Sequence, residues 1–245
     1  MRRNTLPAYG PAGLPLPARE VGDYGRSVTE RIALFPLGQV LMPGAPLPLH
    51  IFEPRYRTMI IDLLASSPPA FGVLSIHRGT ETSEDVAFAA VGTMAEIINR
   101  RPYPDGTSDL LTVGSRRFRA RELLRSGRPY LRAEVEWLPE TVGPVTPELV
   151  AAARAMLERY VEVLRALSGE KIDVTLATDP VPISYQLAGL IQLTRQDRQN
   201  LLAAPTAAHR LHAELMLMRR EITLLQRTRT APIDPRALWI SPTAN

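Results

Sequence analysis

The single lysine of this 245-residue chain, Lys171, stands three positions after Ser168, and Ser168-Gly169-Glu170-Lys171 spells a Ser-x-x-Lys sequence. In serine acyl-transfer enzymes that spacing holds an amine one helical turn from a hydroxyl, where it can take the hydroxyl proton. The chemistry needs both residues at the start of a helix. Here Gly169 is a natural helix stop, and the companion Ser-Asp-Asn and Lys-Thr-Gly sequences are missing. The four residues therefore read as a helix end. A phosphate-cradling loop requires Gly-Lys-Ser/Thr, so that the ammonium reaches the phosphates. Lys171 lies between Glu170 and Ile172, which excludes that loop from these residues. No ATPase, no Ser–Lys protease and no cofactor is expected, and no catalytic residue is assigned.

Metal and thiol chemistry are equally thin. Without cysteine there is no disulfide, no thiolate nucleophile and no zinc–thiolate site. His209 and His212 are one turn apart on a helical pattern and could share a metal, but the Glu of a His-Glu-x-x-His helix is missing. We read them as boundary residues and expect no metal. His50 and His77 have no carboxylate near them in sequence beyond Glu53 and Glu81.

The strongest charge feature is cationic. Residues 116–132 hold seven arginines against one acid, Glu122, a local charge of +6 within a chain of net charge +4. The basic excess is thus local, which weakens a whole-surface polyanion role. Arg117, Arg119 and Arg121 alternate with Phe118 and Ala120. On a strand the three arginines share one face, and Phe118 points into the core. Such a strip could hold RNA or acidic protein segments. The simpler reading, which we favour, is a solvated strand face in an arginine-biased chain.

The elements that must position these residues fall into two halves. Residues 1–28 are rich in Pro and Gly and read as a disordered arm; 229–245 read as a loose tail. Between 29 and 140 strand signals dominate: Ile32–Phe35, Phe71–Ile76, Phe88–Ile98 with Gly92 as a bulge, Asp109–Val113, Arg117–Leu124 and Tyr130–Trp137. Pro104-Asp105-Gly106 supplies a turn. The proline-rich stretch Leu37–Phe52 must be extended or turning, and Pro54 opens a helix.

From 145 to 228 the period is helical. Thr146-Pro147-Glu148 caps a helix whose stripe is Leu149, Ala153, Met156, Tyr160, Leu164 and Leu167. Asp179-Pro180 and Thr194…Asp197 open two more, and Leu211, Leu215, Met218, Ile222 and Leu225 form the stripe of the last. No apolar run is long enough to span a bilayer, and prolines break any signal-like segment near Met1. The expectation is a soluble, cytoplasmic protein with no membrane partner.

The segment Phe35-Pro36-Leu37-Gly38-Gln39-Val40-Leu41-Met42-Pro43-Gly44, followed by Leu47-Pro48-Leu49-His50-Ile51-Phe52-Glu53-Pro54-Arg55-Tyr56, resembles the opening of the amino-terminal domain of Lon proteases. Phe71-Gly72-Val73, Val91-Gly92-Thr93, Asp105-Gly106 and Gly114-Ser115-Arg116-Arg117-Phe118 follow in that family's order, and the likeness runs over about residues 30–228. The resemblance implies an α+β fold, a PUA-like β pseudo-barrel followed by an α-helical bundle. It also implies a non-enzymatic module that captures unfolded or tagged polypeptides, serving proteolysis or quality control beside a separate ATPase or protease. RNA binding through the arginine strip is the alternative, since PUA-like barrels also occur in RNA proteins.

Within the motif, Phe35, Leu41, Leu49 and Phe52 are expected to face the barrel interior. A shallow apolar groove built from Met42, His50, Phe52, Tyr56 and Phe118 is the candidate peptide site. Addition of an extended client to a barrel edge would supply main-chain hydrogen bonds.

Overall fold

The computed structural model describes residues 30–78, 87–169 and 171–228. The expected arm and tail lie outside the described residues. Seven strands come first: β1 (Glu30–Leu37), β2 (Pro46–Ile51), β3 (Ala70–Arg78), β4 (Ala87–Phe88), β5 (Val91–Pro102), β6 (Ser108–Leu124) and β7 (Arg132–Trp137). Helix α1 (Pro54–Leu63) follows β2; α2 (Pro147–Ser168), α3 (Pro180–Leu190), α4 (Arg195–Ala203) and α5 (Ala207–Thr228) follow the sheet. The class is α+β. The pairing path β1-β7-β6-β5-β3 returns to β1 through a parallel β1–β3 ladder, while β2 hangs on β6 and β4 on β3. The result is a pseudo-barrel rather than a clean barrel. No helix among the described residues is long and apolar enough to cross a membrane.

Alternation along the strands builds two apolar layers. Ile32, Leu34, Leu74, Phe118 and Val135 are buried together on one face. Ala33, Phe35, Phe71, Val73 and Ala95 are buried on the other, with Leu47, Leu49 and Ile51 of β2 and Tyr56, Met59 and Ile60 of α1. The two strands expected at Asp109–Val113 and Arg117–Leu124 are one strand, β6. A bulge joins them: Thr93 faces Arg117 but Ala95 faces Gly114, so Met94 is opposed by two residues. Gly92 is not the bulge. It pairs in register with Phe118, and a Cβ there would lie 2.4 Å from the Val73 carbonyl oxygen and 2.6 Å from the Phe118 ring. The glycine makes room for that ring. The same logic applies to Gly114, where a Cβ would meet the Met42 carbonyl oxygen at 2.3 Å, so the proline-held segment can lie flat on β6.

The helices start and stop as their residues direct. The Thr146 hydroxyl oxygen accepts from the Leu149 N–H at 3.3 Å, Pro147 occupies the first turn, and Gly169 closes α2 at φ +71°. Leu157 and Val161 are buried where the expected stripe had Met156 and Leu167, which are half-buried. Thr194 caps α4 by accepting from Asp197 N–H. All five residues of the α5 stripe are buried, against α2 and α3.

Strands and helices meet along a seam of Met42, Val91, Tyr185, Ala188, Leu201 and Leu202. At its centre is Arg117, 2% exposed. Its guanidinium donates to Glu140 at 2.7 Å, to the carbonyls of Leu202 and Ala204 at 2.8 Å each, and to Pro139 at 3.1 Å. The α4 carbonyls have no partner within their own helix, and a cation suits that end of the dipole. Glu140 also accepts from the Tyr185 hydroxyl at 2.7 Å and lies 3.6 Å from the Arg210 guanidinium. The connection then caps α5: Thr141 and Val142 carbonyls accept from the Ala207 and Ala208 N–H groups.

Two outcomes follow from these buried charges. Arg117→Ala removes the closest cation from Glu140 and leaves three carbonyls without that donor, and should cost about 3–5 kcal/mol. Arg119→Ala, on an exposed side chain, should stay within about 0.5 kcal/mol. Denaturant unfolding of both variants checks the contrast; equal losses would refute it.

Glu214 supplies the second. Its carboxyl is fully buried on α5, with neither oxygen hydrogen-bonded among the described residues. Burial holds its pKa well above the usual carboxylate range, and the nearby Arg210 only partly opposes this. A raised folded-state pKa means the fold keeps a proton the unfolded chain releases. The contribution is complete below the unfolded pKa and is lost as pH rises toward the folded one, by about 1.4 kcal/mol per pH unit in that window. Glu214→Gln should therefore gain on the wild type in thermal melts as pH rises above about 4.5. A gap independent of pH would overturn the assignment.

Candidate functional site

Burial removes three of the five expected groove residues from the surface. Met42 is 2% exposed because the proline-held segment passes between sheet and helices. Tyr56 is stacked on Phe35 at 4.1 Å beneath α1, and Phe118 fills one of the two sheet cores. His50 and Phe52 do reach solvent. Phe35, Leu41 and Leu49 are buried together, but Phe52, expected inside, is 50% exposed where the chain leaves β2 for α1.

The arginine strip does not survive as a strip. Arg117 and Arg119 have the same parity, but the helices cover that face at Arg117 and not at Arg119. Arg121 sits at a second bulge, since Ala120 faces Val135 while Glu122 faces Glu134, and it pairs with Glu136. Arg128 pairs with Asp62 at 3.1 Å, and Arg132 donates to the Ser126 carbonyl. His209 bonds the Thr206 hydroxyl, and Lys171 pairs with Asp173 beyond the end of α2. Among the described residues no group of three His, Cys, Asp or Glu could hold a metal ion.

A different surface emerges from the register. β2 is joined to β6, and β6 to β5, so residues that face each other form rows. Pro46, Val113 and Glu96 make one row; Pro48, Leu111 and Asn99 a second; His50, Asp109 and Arg101 a third. The intervening residues Leu47, Leu49, Ile51, Leu110 and Thr112 are buried on the opposite face. Leu111 and Val113 are half-buried and belong to none of the apolar cores. The rows thus form an open platform with an apolar floor, edged by the exposed prolines and by Phe52, whose ring lies 6.1 Å from that of His50. A shallow cleft of about 400 Å³, lined by His50, Tyr103, Pro104, Asp105 and Thr107, continues it toward the β5–β6 turn.

One carboxylate orients this end. Asp109 accepts from the Tyr103 hydroxyl and contacts His50 Nδ1 at 2.7 Å. The Tyr103 hydrogen bond, then that from His50, holds the Asp109 carboxyl below its ordinary range, and the same bond raises the Tyr103 hydroxyl. An ionised carboxylate can only accept. His50 therefore donates from Nδ1 to Asp109. Asp105 is also held low, by the backbone N–H and then the hydroxyl of Thr107.

The free edge of β2 has an unusual polarity. Gly114 N–H donates to the Ala45 carbonyl at 2.9 Å. In an antiparallel ladder the inward-bonding residues recur every second position, so Leu47, Leu49 and Ile51 face β6 while Pro46, Pro48 and His50 face outward. Proline has no N–H. The edge offers carbonyls at Pro46 and Pro48 but no donor there, which makes it a poor template for a full added strand.

The sequence reading missed Leu111, Val113, Tyr103 and the Asp109 partner of His50. A signal was present: in Asp109-Leu110-Leu111-Thr112-Val113 the set alternating with the buried Leu110 and Thr112 carries Leu111 and Val113, more apolar surface than a solvated strand face needs.

The chain matches the family model described as the ATP-dependent protease La (LON) substrate-binding domain over residues 31–220. It is similar to Lon protease 2 of Syntrophobacter fumaroxidans, 28% identical over 202 residues, covering 80% of this chain and 25% of that protein. Lon protease 2 of Thermus thermophilus is 28% identical over 197 residues, covering 78% and 24%. The chain thus spans about a quarter of the length of these relatives. Among solved structures, the Lon N-terminal domain protein of Xanthomonas campestris aligns with TM-score 0.59 at 27% identity, over 76% of this chain and 98% of that one. The N-terminal domain of Mycobacterium avium complex Lon protease shares the fold, with TM-score 0.57 at 20% identity over 78% and 98%. The chain belongs to the family of Lon substrate-binding domains.

Proposed function

We propose that these residues form a polypeptide-capture module and that extended, non-native segments lie on the β2–β6–β5 platform. The observation that carries this reading is the apolar floor of Leu111 and Val113, bordered by the exposed Pro46, Pro48 and Phe52. Unfolded chains expose apolar side chains that native ones bury, and a flat apolar strip takes them with little sequence preference. Capture runs mainly through side chains, because the proline-bearing edge of β2 cannot exchange a full set of main-chain hydrogen bonds. Handing the client to an ATPase or protease, on the same chain or a separate one, fits the family. RNA binding is disfavoured, since Arg117 is buried and Arg121 and Arg128 are paired to acids.

A shallow platform buries little area, and ordering a flexible client costs several kcal/mol, so micromolar affinity is expected. Calorimetry with one client in native and denatured form tests the reading. The denatured form should bind preferentially, and Leu111→Asp should weaken it about tenfold or more while the fold is retained. Met42→Asp should instead unfold the protein, because that side chain is buried. Equal affinity for both client forms, or none for either, would remove the capture hypothesis.

A further inference from the structure

The platform's polarity narrows what its occupant must carry. Toward the Pro46–Val113–Glu96 row its outward hydrogen-bonding groups are acceptors. The Pro46 and Pro48 carbonyls point outward from β2 with no accompanying N–H. Glu96, at the end of the Pro46–Val113 row, has no hydrogen-bond or ion-pair partner among the described residues. The cations nearby sit at the other end: Arg101 lies over the Tyr103 ring at 5.4 Å, and Arg57 packs against the Gly106 turn beside Asp105. An ordinary peptide strand brings donors and acceptors in equal number, and its carbonyls opposite Pro46 and Pro48 would go unsatisfied. A guanidinium or ammonium brings donors alone, and a guanidinium also lies well on exposed rings such as Phe52.

Resting on the capture reading, we propose that the segment taken up on this platform is a basic one, with arginine or lysine side chains donating to the β2 edge and to Glu96 between apolar residues seated on Leu111 and Val113. The platform selects for unfolded segments of basic proteins over equally apolar neutral ones.

The test uses two labelled extended peptides of identical sequence, one with arginine and one with citrulline at the same positions, titrated against the full chain by fluorescence anisotropy. Citrulline keeps the shape but loses the charge and turns one donor into an acceptor. The arginine peptide should bind about tenfold more tightly. Glu96→Gln should reduce that preference. Pro48→Ala, which returns an N–H to the edge, should narrow it by improving the citrulline peptide; thermal melts check that both variants remain folded. Equal affinity of the two peptides for the wild type overturns the inference and leaves capture intact. Binding of neither sinks the capture reading and the inference with it.

Discussion

A single buried guanidinium holds the two halves of this molecule in register. Arg117 leaves a barrel strand and enters the helical side, where it meets two carbonyls at the end of α4, one from the connecting segment, and the Glu140 carboxylate. Burying such a charge costs least when every donor finds an acceptor, and the C-terminal carbonyls of a helix are acceptors with no partner of their own. Arg117 and the end of α4 therefore solve each other's problem. Glu140 extends the arrangement to Tyr185 and Arg210, so strands, connector, α3 and α5 share one polar centre inside an apolar seam.

That arrangement also decides which surface remains open. Arg117 and Phe118 point to opposite faces of β6. The helices seat on the Arg117 face, and the Phe118 face is filled at that end by β1, β3 and β7. Farther along the strand, past the bulge, the Phe118 face carries Val113 and Leu111, joined there by β2 rather than covered by a helix. The half-buried apolar floor is thus a consequence of where the helices dock. The prolines at its margin protect the edge from pairing with another sheet while leaving their rings and carbonyls available.

Much of the architecture was legible along the chain. Alternation, prolines and caps located most of the strands, though not β2, and all five helices, because each depends on neighbours a few residues apart: Pro54 and Pro147 at helix starts, Thr146 and Thr194 as caps, Gly169 as a stop. The family motif was legible too, since Phe35, Leu41 and Leu49 meet across short separations. Where local reasoning failed, a long-range contact had intervened. Gly92 looked like a bulge, but its need is set by the Phe118 ring packed beside it from β6.

The sequence by itself determined the element order, the absence of a phosphate loop and of thiol chemistry, and membership in a fold family, because these rest on residue identity and local period. Only the tertiary structure decided which of the singled-out residues reach solvent. Met42, Tyr56 and Arg117 carry the same local pattern as exposed residues would, and packing against elements distant in sequence buried them. The partner of His50 lies 59 positions away, and the platform rows join three strands. Strand register is fixed by turns and bulges acting together, and a one-residue slip would turn every side chain to the other face. No window along the chain contains that information.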